Sequence, residues 1–210
     1  MFNEQTARQK LHKHFEVKNL KGFGVDHLKC GIVACGAILQ YLELTQHTHI
    51  SHITSLSRID EERYVRLDSF TVRSLELTRS MQDGGCSLID VIDRTCSPMG
   101  ARMLNRWVCF PLRNAADINK RLDVVEEFFK DTSLREIIDE NTNGVGDLER
   151  ITAKVATGRV SPREMVQLKN ALLCMQPIKD ACERSENKTL ALMADRIDAC
   201  KELSDRLEME

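Results

Sequence analysis

The stretch SPREMVQLKNALLCM, residues 161–175, is the clearest guide to the fold of this chain. Ser161 can cap a helix, Pro162 suits the first helical position, and Glu164 can complete a capping box. Apolar residues then recur on one face at helical spacing: Met165, Leu168, Leu172 and Met175. The stretch therefore predicts a long amphipathic helix.

The same signals recur along the chain from residue 68 to its end. Side chains that can cap a helix precede apolar stripes at Ser87, Ser97, Asn114 or Asp117, Thr132 or Ser133, Asp147 and Asn187. Gly158 lies where a left-handed residue is expected to end a helix. We therefore predict a mainly α-helical fold, a helical bundle whose members are mostly about three turns long.

The N-terminal part also has helical periodicity. Residues 4–14 predict a short amphipathic helix, and residues 27–45 a helix that is apolar nearly all round and is therefore a buried, central element. Asp26 is expected to cap this second helix. Gly31 and Gly36 each cost about 1 kcal/mol relative to alanine inside it, which indicates that another backbone packs closely there.

Several further elements are expected from local patterns. Residues 56–67 predict a short β-hairpin around a polar turn, and residues 71–80 a helix. Pro177 should kink the long helix or end it near Met175. The heptad spacing after Asn187 predicts one last helix that reaches residue 210.

Two apolar stripes follow within the helical part. Trp107 lies on one with Leu104 and Val108, so we expect it to be largely buried. The next helix repeats its apolar residues at spacings of four, three and four: Ile118, Leu122, Val125 and Phe129.

Composition excludes several protein classes. The 210 residues carry a net charge of −2 and are 42% hydrophobic and 30% charged, which is typical of a globular chain and not of a disordered one. No apolar run approaches the roughly 18 residues of a membrane span, and no signal segment is visible, so we expect a cytoplasmic protein. The eight cysteines form no C-x-x-C pair and are expected to be reduced, small buried residues.

Motifs for catalysis or nucleotide binding are absent from the sequence. No glycine is followed by lysine, so there is no phosphate-binding loop, and no H-E-x-x-H or G-x-S-x-G motif occurs. The only candidate metal ligands are His47, His49 and His52, for which a solvated loop is the favoured interpretation. We therefore predict no catalytic, cofactor-binding or metal-ligating residue. Weak, salt-sensitive contact with DNA would involve the N-terminal cations Arg8, Lys10, Lys13, Lys18 and Lys21.

Ordered blocks between about residues 34 and 170 carry a family resemblance. They are ACGAILQYL (34–42) with TQ (45–46), LD (67–68) with SLEL (74–77), SL (87–88) through DRT (93–95) with PMGARML (98–104) and RW (106–107), PL (111–112) with RLDVVEE (121–127), VGDLER (145–150) and GRVSPR (158–163). In this order they resemble MutS, the bacterial family of DNA mismatch-repair proteins.

The resemblance implies a domain assignment. Residues 1–50 would be the C-terminal end of the connector domain, residues 51–70 a linker with the hairpin, and residues 71–210 the first segment of the core, or lever, helical domain, ending before the clamp. The family's mismatch wedge has the letters Phe-x-Glu, which Phe2-Asn3-Glu4 fits, but that tripeptide precedes connector sequence, so the wedge role is not carried over.

The resemblance also implies a function. The chain would be a non-catalytic structural and allosteric-transmission segment that links the ATPase state to DNA clamping, with ATP and Mg²⁺ bound elsewhere in the parent. Its partners would be the clamp and ATPase domains, mismatched duplex DNA and a second MutS subunit, with no membrane contact. The alternative is a free-standing helical adaptor or a His-rich metal-binding module, which metal analysis and a partner screen would distinguish.

Overall fold

The computed structural model describes residues 3–45, 50–59 and 61–209. Within these ranges the chain is helical and contains no β-sheet, which confirms the predicted mainly α-helical class. The helices are α1 (Glu4–His14), α2 (Lys29–Leu44), α3 (Ser69–Ser74), α4 (Leu88–Ile92), α5 (Pro98–Cys109), α6 (Ala115–Lys130), α7 (Thr132–Val145), α8 (Leu148–Ala156), α9 (Pro162–Arg184), α10 (Lys188–Ala194) and α11 (Lys201–Met209).

The chain forms two compact units. The first contains residues 1–60 and 152–160, and the second contains residues 61–151 and 161–210. In the first unit α1 packs against α2, and the buried side chains are Ala7, Leu11, Leu20, Val25, Ile32 and Leu39. The bounds predicted for α1 are confirmed.

Helix α2 is buried on one face only, so the prediction of an all-round buried helix is wrong. Tyr41 and Leu44 are 65% and 72% exposed. Asp26 is not its cap, because α2 begins at Lys29 without a side-chain cap and the Asp26 carboxylate instead accepts a hydrogen bond from Arg8. The prediction used only the residues next to Asp26, whereas its ion pair with Arg8 joins residues 18 positions apart in the sequence.

The second unit is built around α9. This 23-residue helix packs against α7, α10 and α11. One buried cluster comprises Leu134, Ala181, Cys182, Leu190 and Ala194, with Val124 and Phe128 of α6 packed on it.

The start of α9 confirms the predicted capping box. The Ser161 hydroxyl accepts the Glu164 backbone N–H at 3.3 Å, and the Glu164 carboxylate accepts the Ser161 N–H at 3.0 Å. Of the two outcomes predicted for Pro177, a kink or an end near Met175, the end is wrong, because α9 continues through Pro177 to Arg184. Residues buried on both sides of this proline stabilise the helix across it: Leu168, Ala171, Leu172, Ala181 and Cys182.

Most other predicted helix starts are confirmed. Ser87, Ser97 and Asn114 each accept backbone N–H groups at the first turn of α4, α5 and α6. Helix α7 is capped by Asp131, one residue before the predicted cap, through a 2.9 Å bond from the Leu134 N–H. The predicted left-handed Gly158 has a φ of +67°.

The hairpin expected at residues 56–67 does not form in the part of this segment that the structure describes. Residues Glu61–Arg63 form a short 3₁₀ turn. Tyr64 makes an isolated antiparallel bridge to Leu112 instead of pairing with residues 56–59. Leu56 packs on the core of the first unit, whereas Tyr64 belongs to the second unit.

Two predicted helices are shorter than expected. Helix α3 ends at Ser74 instead of Ser80, because Glu76 adopts a left-handed φ of +49° and its carboxylate accepts the Met81 N–H. The final helix is divided into α10 and α11 with Cys200 at a φ of +44° between them. Side-chain periodicity alone did not show either backbone break.

All eight cysteines are free thiols. The prediction that they are buried holds only for Cys182, and Cys30, Cys86 and Cys96 are exposed. Burial raises the pKa of the Cys182 thiol.

The two glycines of α2 offer a matched test of packing. A Cβ added at Gly36 would lie 2.5 Å from the Ala7 Cβ, so Gly36→Ala should lower the free energy of unfolding by about 1–3 kcal/mol. At Gly31 the added Cβ meets only Leu28 at 3.6 Å, and Gly31→Ala should stabilise the helix by up to about 1 kcal/mol. Urea denaturation of both variants checks the pair, and equal effects would contradict the close α1–α2 approach.

The capping box of α9 offers a second test. Ser161→Ala should cost about 1 kcal/mol, because the Glu164 N–H loses its acceptor. Ser133→Ala, on the exposed side of α7, is the control and should change stability by less than about 0.5 kcal/mol. Chemical denaturation measures both, and the cap would be refuted by two indistinguishable midpoints.

Candidate functional site

An arginine of α5 binds two carboxylates at the beginning of α8. Arg102 donates from Nη1 and Nη2 to the two Asp147 carboxylate oxygens at 3.0 and 2.7 Å. It also donates from Nε and Nη2 to Glu149 Oε2 at 3.0 and 2.6 Å. The planar guanidinium therefore fixes α5 to the first turn of α8 with a bidentate geometry that lysine cannot reproduce.

The backbone around Asp147 supports this arrangement. Gly146 has a φ of +64°, a conformation that suits glycine and turns the chain between α7 and α8. The Asp147 carboxylate also accepts the Arg150 N–H at 3.2 Å, which confirms its predicted role as a helix cap. The hydrogen bonds from Arg102 are the main cause that lowers the pKa of Asp147.

A groove of about 640 Å³ lies beside this network. The Arg121 guanidinium carbon lies 3.6 Å from the ring centroid of Trp107, a cation–π contact. The rings of Tyr64 and Phe110 meet edge to face at 6.0 Å. The remaining lining residues are Met99, Gly100, Arg102, Met103, Arg106 and Glu149.

Trp107 is 41% exposed, so its predicted burial is wrong. The stripe that suggested burial places Trp107 in the lining of the groove, where Arg121 covers one ring face. Desolvation by the surrounding groups lowers the pKa of Arg121, as does the positive charge of Arg63, although Tyr64 and Asp117 oppose this effect.

The predicted apolar stripe of α6 faces solvent in this chain. Phe129 is 76% exposed, and the other members, Ile118, Leu122 and Val125, are also exposed. The residues that pack on the core are instead Val124 and Phe128. They directly precede the exposed Val125 and Phe129 in the sequence. An exposed run of large apolar side chains is typical of a surface that another protein segment covers.

Of the three histidines considered as metal ligands, the structure describes one. His47 and His49 lie outside the described residues, and His52 is exposed. Across residues 3–45, 50–59 and 61–209, no cluster of three or more His, Cys, Asp or Glu side chains could hold a metal ion.

Two of the five N-terminal cations considered for DNA contact form ion pairs, and Asn3 and Glu4 form the start of helix α1. Asn3 accepts the Gln5 N–H as a helix cap, and Glu4 pairs with Arg8, while Phe2 lies outside the described residues. Arg8 also binds Asp26, and Lys10 pairs with Glu43. The other three cations of that group, Lys13, Lys18 and Lys21, are exposed.

The arginine network and the groove were not identified as functional features from the sequence. Arg102 lies 45 and 47 positions from its two partners, and no local pattern links residues at that distance. The signal available was the presence of all three in the family-like blocks PMGARML and VGDLER. Among the described residues, no helix is long and apolar enough to cross a membrane.

The Arg102 network predicts a pH-dependent contribution to stability. Asp147 has a lowered pKa in the folded chain, so its contribution is present above the unfolded value of about 3.9 and is lost as the pH falls through the folded value. Arg102→Met should therefore lower Tm at pH 7, and its difference from the unsubstituted chain should shrink as the pH falls below about 4.

Arg135→Met is the control for this measurement. Arg135 is exposed on α7 and makes no ion pair with the residues that the structure describes, so Tm should stay close to that of the unsubstituted chain. A loss of Tm in Arg102→Met that is equally large at both ends of the pH range would exclude the ion pairs as its cause.

Comparisons with known proteins cover nearly the whole chain. The model of MutS domain III matches residues 70–209, and that of MutS domain II matches residues 1–54. DNA mismatch repair proteins MutS of Bacteroides fragilis and Bacteroides thetaiotaomicron are 59% and 60% identical over all 210 residues. The protein of the same name from Porphyromonas gingivalis is 50% identical over 209 residues, and the chain spans 24% of the length of each of these relatives. The chain belongs to the MutS family of DNA mismatch-repair proteins.

Proposed function

We propose that this chain is a non-catalytic structural and transmission segment of a MutS-type mismatch-repair ATPase, which links ATPase state to DNA clamping. The observation that carries the proposal is the Arg102 network, which fixes α5 to the first turn of α8. Close-packed helices shift between discrete arrangements instead of deforming smoothly, so they can relay a displacement.

The dimensions of α9 suit such a role. A 23-residue helix is roughly 34 Å long, and it packs against three other helices along this length. The exposed stripe of α6 provides a second surface on which a neighbouring domain can act. Transmission requires that α9 and the α6 stripe both contact other parts of the parent protein. The greater length of the relatives provides sequence for such contacts.

The chemistry of the parent is assigned to regions outside this chain. ATP and Mg²⁺ would bind elsewhere, because the 210 residues contain no Gly-Lys step from which a phosphate-binding loop is built. The proposed partners are the remaining MutS domains, including the clamp and the ATPase, a second MutS subunit and mismatched duplex DNA. Since mismatch repair acts on chromosomal DNA, we infer a cytoplasmic location.

Similarity over all 210 residues favours this proposal over a free-standing helical adaptor or a His-rich metal-binding module. The three histidines of the second alternative need no metal to explain them, because a polar loop accounts for the same composition.

A chimeric protein tests the proposal. The matching residues of Bacteroides fragilis MutS are replaced by this chain, and mutation frequency is measured in a strain that lacks its own MutS. The chimera should restore a low mutation frequency. With Arg102→Met in the chimera, ATPase turnover and mismatch affinity should persist, whereas ATP-driven release from mismatched DNA should slow several-fold relative to Arg135→Met.

A second arm of the experiment uses the 210-residue chain alone. It should neither hydrolyse ATP nor distinguish mismatched from matched duplex in a fluorescence-anisotropy titration at physiological salt. A mismatch preference of several-fold, or turnover above the blank, would contradict a purely mechanical role. If the chimera does not lower the mutation frequency, the proposal that this chain acts as a functional segment of a MutS protein is contradicted.

A further inference from the structure

The groove between α5 and α6 contains more positive charge than its surroundings neutralise. Among the described residues, Arg106 and Arg121 pair with no carboxylate, whereas Arg102 is held by Asp147 and Glu149. Arg63 adds a further cation near Arg121. Arg63 pairs with Asp117 at 4.0 Å, and that carboxylate also pairs with Lys120.

The same groove exposes aromatic surface. Trp107 and Phe110 are 41% and 39% exposed, and both line the recess. The stacking contact with Trp107 holds the Arg121 guanidinium in place, so less side-chain freedom is lost when that guanidinium binds an anion. Arginines that form no ion pair, next to exposed aromatic rings, form a site for a ligand that is both anionic and apolar.

We propose that this groove receives an acidic segment of the same MutS polypeptide, from outside residues 1–210. Carboxylates of Asp or Glu on that segment pair with Arg106 and Arg121, and an adjacent apolar side chain covers Trp107. The proposal rests on the proposed function, because it requires the longer parent protein.

Two arguments favour an occupant from the same polypeptide. Arginine forks bind carboxylates with short, charge-assisted hydrogen bonds, so the charge of the groove selects an acidic segment. Tethering within one chain gives a high effective concentration, so a small groove of moderate intrinsic affinity is filled. The relatives are about four times as long as this chain, which provides ample sequence for such a segment.

The geometry is less suited to single-stranded nucleic acid. Non-specific binding of that kind uses an extended positive track with ring faces open for base stacking. Here Arg121 covers one face of Trp107, and the Glu149 carboxylate lines the recess.

Photocrosslinking in the chimeric full-length MutS tests the proposal. p-Benzoylphenylalanine replaces Met103, an exposed residue of the groove, and crosslinked peptides are identified by mass spectrometry. We expect crosslinks to one Asp- or Glu-containing peptide outside residues 1–210. Arg106→Glu should lower the crosslink yield at least five-fold, Arg135→Glu should leave it unchanged, and replacing the contacted carboxylate by lysine should restore the yield in Arg106→Glu.

Mixing isotope-labelled and unlabelled subunits identifies the source of the crosslinked peptide. Crosslinks confined to residues 1–210, to the other subunit or to bound DNA would overturn the proposal, as would a yield that is insensitive to Arg106→Glu. Quenching of Trp107 in the 210-residue chain by a decathymidylate at physiological salt would assign the groove to nucleic acid. A chimera that restores repair without the expected crosslink refutes only the groove assignment, whereas a chimera that fails to restore repair refutes the proposed function.

Discussion

Burial along both halves of α9 is the constraint on which the helical unit depends. Leu168 and Leu172, each of which contributes about 1.5–3 kcal/mol on transfer to such an interior, are buried before Pro177, and Ala181 and Cys182 are buried after it. An interior proline removes one helical hydrogen bond and costs about 3 kcal/mol. Burial on both sides is therefore large enough to keep the helix continuous, and α7, α10 and α11 take their positions from it.

Local interactions were predictable from the sequence, and the helix starts show why. The side chains of Ser87, Ser97 and Ser161 each accept the backbone N–H three residues later, so the whole interaction is contained in a short stretch. The faces of the helices were less predictable. The stripe of α6 and the side chains of α2 have strong periodicity, yet this pattern cannot tell whether the covering partner belongs to the same 210 residues. The left-handed Glu76 and Cys200 break helices without glycine or proline and gave no signal.

The candidate site contains both a local interaction that was predictable from the sequence and contacts between distant residues that were not. Asp147 was recognised as a cap because its acceptor role is local, but its bond to Arg102 depends on how α5 and the start of α8 meet in space. The groove arises in the same way, since Tyr64, Trp107 and Arg121 come from three separate stretches. The family resemblance covered the blocks that contain the last two and Arg102, and the structure gives these positions a physical role.

The buried thiol of Cys182 on α9 can report on opening of the core around this helix. Cys182 lies in the cluster with Ala181, Leu190 and Ala194, and its raised pKa reduces the reactive thiolate further. The exposed thiols of Cys30, Cys86 and Cys96 meet reagents directly. Alkylation of Cys182 therefore requires opening of the α9 core, and where the core closes again faster than the thiol reacts, the rate constant relative to that of an exposed thiol measures the free energy of opening without any added label.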